Sequence, residues 1–200
     1  MFRIRIIFKK SGWITHLNHM DLPNLFSRAA SRAGLEQEYT QGYSPRPRTS
    51  FGPPLAIGVE GENEPAEFWF ANWDENSQNK WNDNLPEGIK ILKSAEVEGP
   101  VLSKSSNAAV YEIQKTDEEL PERALTVLKE MIVKEAILYQ SSFKSGLITL
   151  TIGSVERCSA GKMVKTLEEN GICSGWSDLQ IVRRIVGSWD PKTNSVLSAI

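Results

Sequence analysis

At 200 residues the chain is long enough for one large or two small domains, each able to bury its own core. With 40% hydrophobic and 24% charged residues its make-up is that of an ordinary globular protein, and no apolar run approaches the roughly 20 residues of a membrane span. A net charge of −2 and a pI near 5.8 exclude a protein that coats duplex DNA, so any nucleic-acid contact is expected to be local.

The charge is unevenly distributed. Residues 1–52 hold eight Lys or Arg against three Asp or Glu, net +5, whereas residues 53–100 are net −7 and the remainder is neutral. Two cysteines, Cys158 and Cys173, and only two histidines make neither a disulfide scaffold nor a metal signature. The expectation is a cytoplasmic protein with no metal, no cofactor and no iron–sulfur site of its own, away from membranes.

In chain order, Arg3 to Phe8 alternates polar and apolar residues and reads as a strand, not a signal peptide. Trp13 to Leu17 reads as a short extended return. Asp21 then caps a helix with Pro23 in its first turn, an apolar face of Leu22, Leu25, Phe26, Ala29 and Ala33, and Gly34 as its stop. Leu55–Val59 and Glu67–Phe70 read as strands joined across Glu60–Asn63, Trp73–Leu85 as a weak helix, and Ile89–Val97 as a strand.

After linker-like residues 99–106 the same order recurs. Ala109–Gln114 is a strand, Thr116 and Glu119 have capping-box spacing, and Leu120, Ala124, Leu125, Leu128, Met131 and Ile132 form a helical stripe. Ala136–Tyr139 and Leu147–Ile152 flank a Lys144-Ser145-Gly146 turn. Ser159 caps a last helix closed by Asn170-Gly171, and Leu179–Val186 ends the set. The pattern predicts an α+β protein of two tandem ferredoxin-like (βαββαβ) units with antiparallel sheets, over residues 1–99 and 107–200.

The most informative stretch is Gly42-Tyr43-Ser44-Pro45-Arg46-Pro47-Arg48-Thr49-Ser50-Phe51-Gly52. Two prolines stiffen it into an extended run, which holds Arg46 and Arg48 outward with Tyr43 and Phe51 beside them. Guanidiniums and rings on a stiff loop suit phosphates or stacked bases, although a solvated connection has the same composition. Arg28 and Arg32, at i and i+4, add a basic ridge, and Lys9-Lys10 lie at a strand end in the same basic third. His16 and His19 precede Asp21, and His19 with Asp21 is the candidate acid–base pair. No phosphate loop, dinucleotide fingerprint or nucleophile elbow is present.

The N-terminal quarter resembles the bacterial radical-SAM-linked proteins, also called the domain of unknown function 2344. The matching residues are Phe8, Lys10 and Gly12; Asn18-His19-Met20-Asp21-Leu22; Ser31-Arg32-Ala33-Gly34; Gly42 to Arg48; Pro54 to Val59 with Glu64; and Leu85-Pro86-Glu87-Gly88-Ile89. The likeness is specific over residues 8–64 and thin beyond 100. Asn18 stands where the family has serine, Ser31 where it has arginine, and Arg46 where it has histidine. If the loop histidine does chemistry in relatives, this chain lacks it, and the arginine keeps a cationic, hydrogen-bonding role that favours binding.

The resemblance implies an accessory protein that works with a radical SAM enzyme and presents it with a substrate such as RNA. On that expectation Lys9, Lys10, Arg28, Arg32, Arg46 and Arg48 contact phosphates, and Tyr43 and Phe51 stack on bases. Two alternatives stand beside it. One is an enzyme acting on a nucleotide or phosphorylated substrate through His19 and Asp21; the other is a protein–protein adaptor using the acidic 60–67 segment or the second unit.

Overall fold

The polar–apolar alternation at the start of the chain makes β1 (Phe2–Lys10), the first strand of a computed structural model that describes residues 1–102 and 105–200. It continues through α1 (Leu22–Arg32), β2 (Thr49–Phe51), β3 (Glu60–Phe70), α2 (Ser77–Asn82) and β4 (Ile89–Glu96). The second half comprises β5 (Ala108–Lys115), α3 (Arg123–Glu135), β6 (Ile137–Lys144), β7 (Leu147–Gly153), α4 (Ala160–Glu169), β8 (Leu179–Asp190) and β9 (Ser195–Ser198). The class is α+β with a mostly antiparallel sheet.

That sheet runs in the order β4-β1-β3-β8-β5-β7-β6, with β2 also on β3 and β9 also on β8. The strands form one sheet rather than two. Glu60 and Gly61 of β3 pair in parallel with Val182 and Arg183 of β8, and every other pairing is antiparallel. Two apolar cores flank the seam. Ile4, Ile6, Phe8, Phe26, Phe68 and Trp81 centre the first, under α1 and α2; Tyr111, Leu128, Ile132, Leu150, Met163 and Leu167 centre the second, under α3 and α4.

Helix α1 forms because Leu22, Phe26, Ala29 and Ala30 fall on one face and are buried. Removing a side chain such as Phe26 from water contributes about 1.5–3 kcal/mol. Its end is a Schellman motif. Gly34, at φ +72°, donates to Ser31 O, and Leu35 N–H reaches back to Ala30 O while its side chain joins the core. This closure sends the chain back along β3 as a strap over residues 35–48, where Glu38 N donates to Trp69 O and Arg48 N to Glu38 O.

Four local expectations are corrected. Trp13–Leu17 is not extended: Gly12 at φ +69° starts a 3-10 turn over Gly12–His16, which Thr15 Oγ1 closes by donating to Gly12 O at 2.8 Å. Leu55–Val59 is not a strand, since Pro53 and Pro54 lack donors and Gly58, at φ +84°, turns the chain. Glu60–Asn63 is not a hairpin turn but the start of β3, whose partner from the proline loop is Thr49–Phe51. Thr116 caps no helix; α3 begins after Pro121, and the Thr116 hydroxyl donates to Ser177 O at 3.3 Å. Strand β9, which the sequence reading did not include, lies against β8 after a turn in which Lys192 N donates to Asp190 Oδ1.

No helix is long and apolar enough to cross a membrane among the described residues.

Candidate functional site

The residues singled out in the sequence divide into three places. The first is a buried ionic cluster at the seam between β3 and β8. Arg183 is fully buried and Glu64 is 3% exposed. Arg183 Nε donates to Glu64 Oε1 at 2.8 Å and Nη2 to Glu64 Oε2 at 2.5 Å. Its remaining N–H groups reach Pro53 O at 2.8 Å, Pro54 O at 3.1 Å and the Tyr111 hydroxyl at 3.2 Å.

Lys10 belongs to this interior, not to an anion-binding surface. It is fully buried, and its Nζ donates to Leu17 O at 2.7 Å and Thr15 O at 3.2 Å. Desolvation lowers its pKa, the Glu64 carboxylate works against that, and Arg183 adds to it. Lysine's long stem thus ties the 3-10 turn to the end of β1.

His19 sits at the edge of the same cluster. Its Nδ1 accepts from Leu55 N at 3.4 Å, and its ring lies edge-on to Phe51 at 5.8 Å. Burial, Arg183 and Lys10, in that order, push its pKa down to about 4, so the imidazole is neutral near pH 7. Asp21 is exposed two residues on, in the 3-10 turn His19–Asp21, and makes no hydrogen bond to His19 among the described residues. Phe51 is half-buried, with ring centroids 5.6 Å from Phe68 and 5.9 Å from Phe26, and packs mainly against the first core.

The second place is the sheet face opposite α1. By the alternation of β1 and β3 it carries Arg3, Arg5, Glu67 and Trp69. Arg3 and Arg5 both donate to the buried Glu67 carboxylate, Arg5 at 2.6 Å, and hold the linker carbonyl of Pro100. Arg48 belongs here: its guanidinium lies over the Trp69 ring at 4.4 Å from the centroid. Tyr43 and Arg46 are exposed near the tip of the strap, with Arg46 O accepting from Thr40 N.

The third place is a groove along the outer face of α1. Asn24, Arg28 and Arg32, each four residues from the next, form a ridge shared by two cavities. On one side a cavity of about 370 Å³ lies between α1 and the strap, walled by Ser31, Gln37, Tyr39 and Pro47. Its lining contains two arginines and no carboxylate. Tyr39 is 52% exposed there, and Gln37 Oε1 is buried with no hydrogen-bond partner. On the other side a cavity of about 650 Å³ has apolar walls from Leu17, Leu25, Leu85 and Pro86, with Asp21 and Asp83 at its edge. A third, of about 470 Å³, shares Asp83, Leu85 and Pro86 and is bounded by Lys9 and Lys90.

Arg32 Nη2 donates to Asn84 O at 2.6 Å, which holds one guanidinium edge in place, while Arg28 is exposed. Of the eight expected binding residues, Lys9, Arg28 and Arg32 line this groove. The sequence reading passed over Tyr39, Gln37, Tyr111 and Arg183, and had Glu64 only as a family match within the acidic 60–67 segment. A pair of adjacent arginines inside the apolar run of β8 was the one visible sign of the seam. Among the described residues no three His, Cys, Asp or Glu side chains gather as a metal site.

A family profile described as an uncharacterised protein conserved in bacteria, DUF2344, matches residues 3–171. No curated protein matches the chain. Among solved structures, one assigned as a glycine cleavage system transcriptional repressor aligns over 91% of this chain and 98% of its own at 8% identity, with a TM-score of 0.24. That score supports no shared fold.

Proposed function

We propose that this chain, which belongs to the DUF2344 family of bacterial proteins, is a binding protein that takes RNA or another phosphate-bearing ligand along the groove of α1. The carrying observation is the Arg28–Arg32 ridge bordered by a carboxylate-free cavity with an exposed tyrosine. Arginine N–H groups suit phosphate oxygens, and an aromatic ring beside them suits a base. The cavity beyond it pairs Lys9 and Lys90 with Asp83 and Glu87, so the unopposed positive charge is confined to the Arg28–Arg32 ridge.

Support for a non-catalytic role comes from His19, which is neutral and hydrogen-bonded to a backbone amide rather than to Asp21. The strand orders β4-β1-β3-β2 and β8-β5-β7-β6 support reading each half as a ferredoxin-like unit, a scaffold that presents helices on one sheet face. The enzyme served is the radical SAM protein that the sequence resemblance implies.

Fluorescence anisotropy with a labelled single-stranded oligoribonucleotide tests the reading. Arg28→Ala with Arg32→Ala abolishes most of the binding, and Arg46→Ala with Arg48→Ala leaves most of it. Binding that depends on the second pair and ignores the first removes the groove from consideration.

A further inference from the structure

The sheet ends in two edges, β4 and β6, and they differ in chemistry. Strand β4 carries Lys90, Lys93 and Glu96, charges of the kind that keep an edge from pairing. Strand β6 has no charge from Ile137 to Phe143, and β7 is its one strand partner among the described residues. We infer that β6 is a contact surface for a second copy of this chain. The copy pairs with it antiparallel about a two-fold axis, and the sheet becomes continuous through both molecules.

The β6–β7 hairpin decides which backbone groups face outward. Ser145 and Gly146, both at positive φ, form its two-residue turn. The flanking pair Lys144–Leu147 therefore exchanges hydrogen bonds, and every second pair after it does the same. Phe143 and Ser141 fall between, and turn their N–H and C=O away from β7. A bulge between Leu138 and Gln140 shifts the alternation by one residue, so Leu138 is the next to face outward. The bulge is held from the sheet face: Tyr139 stacks on Trp189 with ring centroids 4.3 Å apart, and Gln140 Nε2 donates to Asn194 O at 3.1 Å. With the axis beside the Tyr139–Gln140 step, Ser141 of each copy faces Leu138 of the other. Outward donors then meet outward acceptors at both places.

Charge and apolar surface agree with that occupant. In this register the exposed Lys144 arrives at the C-terminal end of α3 in the second copy, where the last carbonyls form the negative pole of the helix. Glu135 stands there too, with Oε2 on Lys162 at 2.8 Å and Oε1 in no hydrogen bond among the described residues. Val133, 68% exposed on the last turn of α3, and Ile137, 49% exposed, lie at the same edge. Pairing sets Ile137 opposite Ser142 of the second copy and removes aliphatic surface from water.

Sedimentation velocity on the full chain over a concentration series, with residue-resolved amide hydrogen exchange, tests this without reference to RNA. A species of twice the 22.4 kDa chain mass is expected as concentration rises. In it the Ser141 and Leu138 amides exchange roughly tenfold more slowly than in the dilute monomer. Ser141→Pro removes an N–H that β7 does not use, so far-UV circular dichroism stays the same while the dimer dissociates. Lys144→Glu, an exposed change that leaves the backbone alone, weakens the dimer roughly tenfold, since it reverses two symmetry-related contacts to a helix C-terminus. A chain that is monomeric at every concentration overturns the proposal. So does a dimer that both variants leave intact, or one in which the Ser141 amide exchanges as fast as in the monomer.

Discussion

Replacing Glu64 with alanine removes the partner of a fully buried guanidinium, and the consequence follows from the contacts. Arg183 makes two of its five hydrogen bonds to Glu64; the others go to Pro53 O, Pro54 O and Tyr111. Without the carboxylate a positive charge is left at a site with no solvent access, beside the buried ammonium of Lys10. Breaking a buried pair from one side costs about 3–5 kcal/mol. Because Gly61 of β3 pairs with Arg183 of β8, the loss falls on the seam that joins the halves. Urea unfolding followed by tryptophan fluorescence measures it as a fall in the midpoint. Replacing both partners, Glu64→Leu with Arg183→Met, recovers the part due to the unpaired charge but not all of it, since Pro53 O, Pro54 O and the Tyr111 hydroxyl lose their donor. A loss below about 1 kcal/mol for Glu64→Ala would refute the argument that this pair holds the seam.

His19 gives a pH dependence of defined sign. Its folded pKa of about 4 lies below the ordinary 6.5, so the unfolded chain binds the proton more tightly. The stabilisation is complete above pH 6.5 and is lost as pH falls toward 4. For a half-buried ring, screening leaves about 1–2 kcal/mol of it, and His19→Gln flattens the profile in that window. Lys10→Met strands the carbonyls of Thr15 and Leu17, costing about 1–3 kcal/mol in a thermal melt while the salt dependence of RNA binding is unchanged. Arg48→Ala removes a guanidinium from the Trp69 ring, lowers stability by about 0.5–1 kcal/mol, and alters RNA affinity little. Gly88→Ala places a Cβ 2.4 Å from Ser11 O at φ +90°, which destabilises the turn before β4 by about 1–3 kcal/mol on the same melt.

Elements whose periodicity coincides with their burial were legible in the sequence: β1, α1 with its Gly34 closure, α3 and α4. The Gly12–His16 turn is closed locally, but the misreadings around β3 share one physical cause, backbone groups satisfied by partners far away in the chain. Leu55 has a strand-like sequence context, but its N–H goes to His19, and Arg183 takes the carbonyls of Pro53 and Pro54. Glu60–Asn63 has turn composition, yet β8 recruits its first residues across about 120 positions. For the groove, the helical spacing of Arg28 and Arg32 was visible and their surroundings were not. The strap folds back through hydrogen bonds to Trp69, which aligns Tyr39 with α1 and sends Arg48 to the far face. A linear reading grouped all six cations because they are close in sequence; the sheet separates them.

The salt dependence of RNA affinity tests the groove most directly. Two phosphates held by Arg28 and Arg32 give a slope of about −1.4 in log affinity against log salt for a single strand. The account predicts that slope for the wild-type chain and a slope near zero for Arg28→Ala with Arg32→Ala. An affinity indifferent to salt, or a slope the double variant leaves untouched, would contradict it.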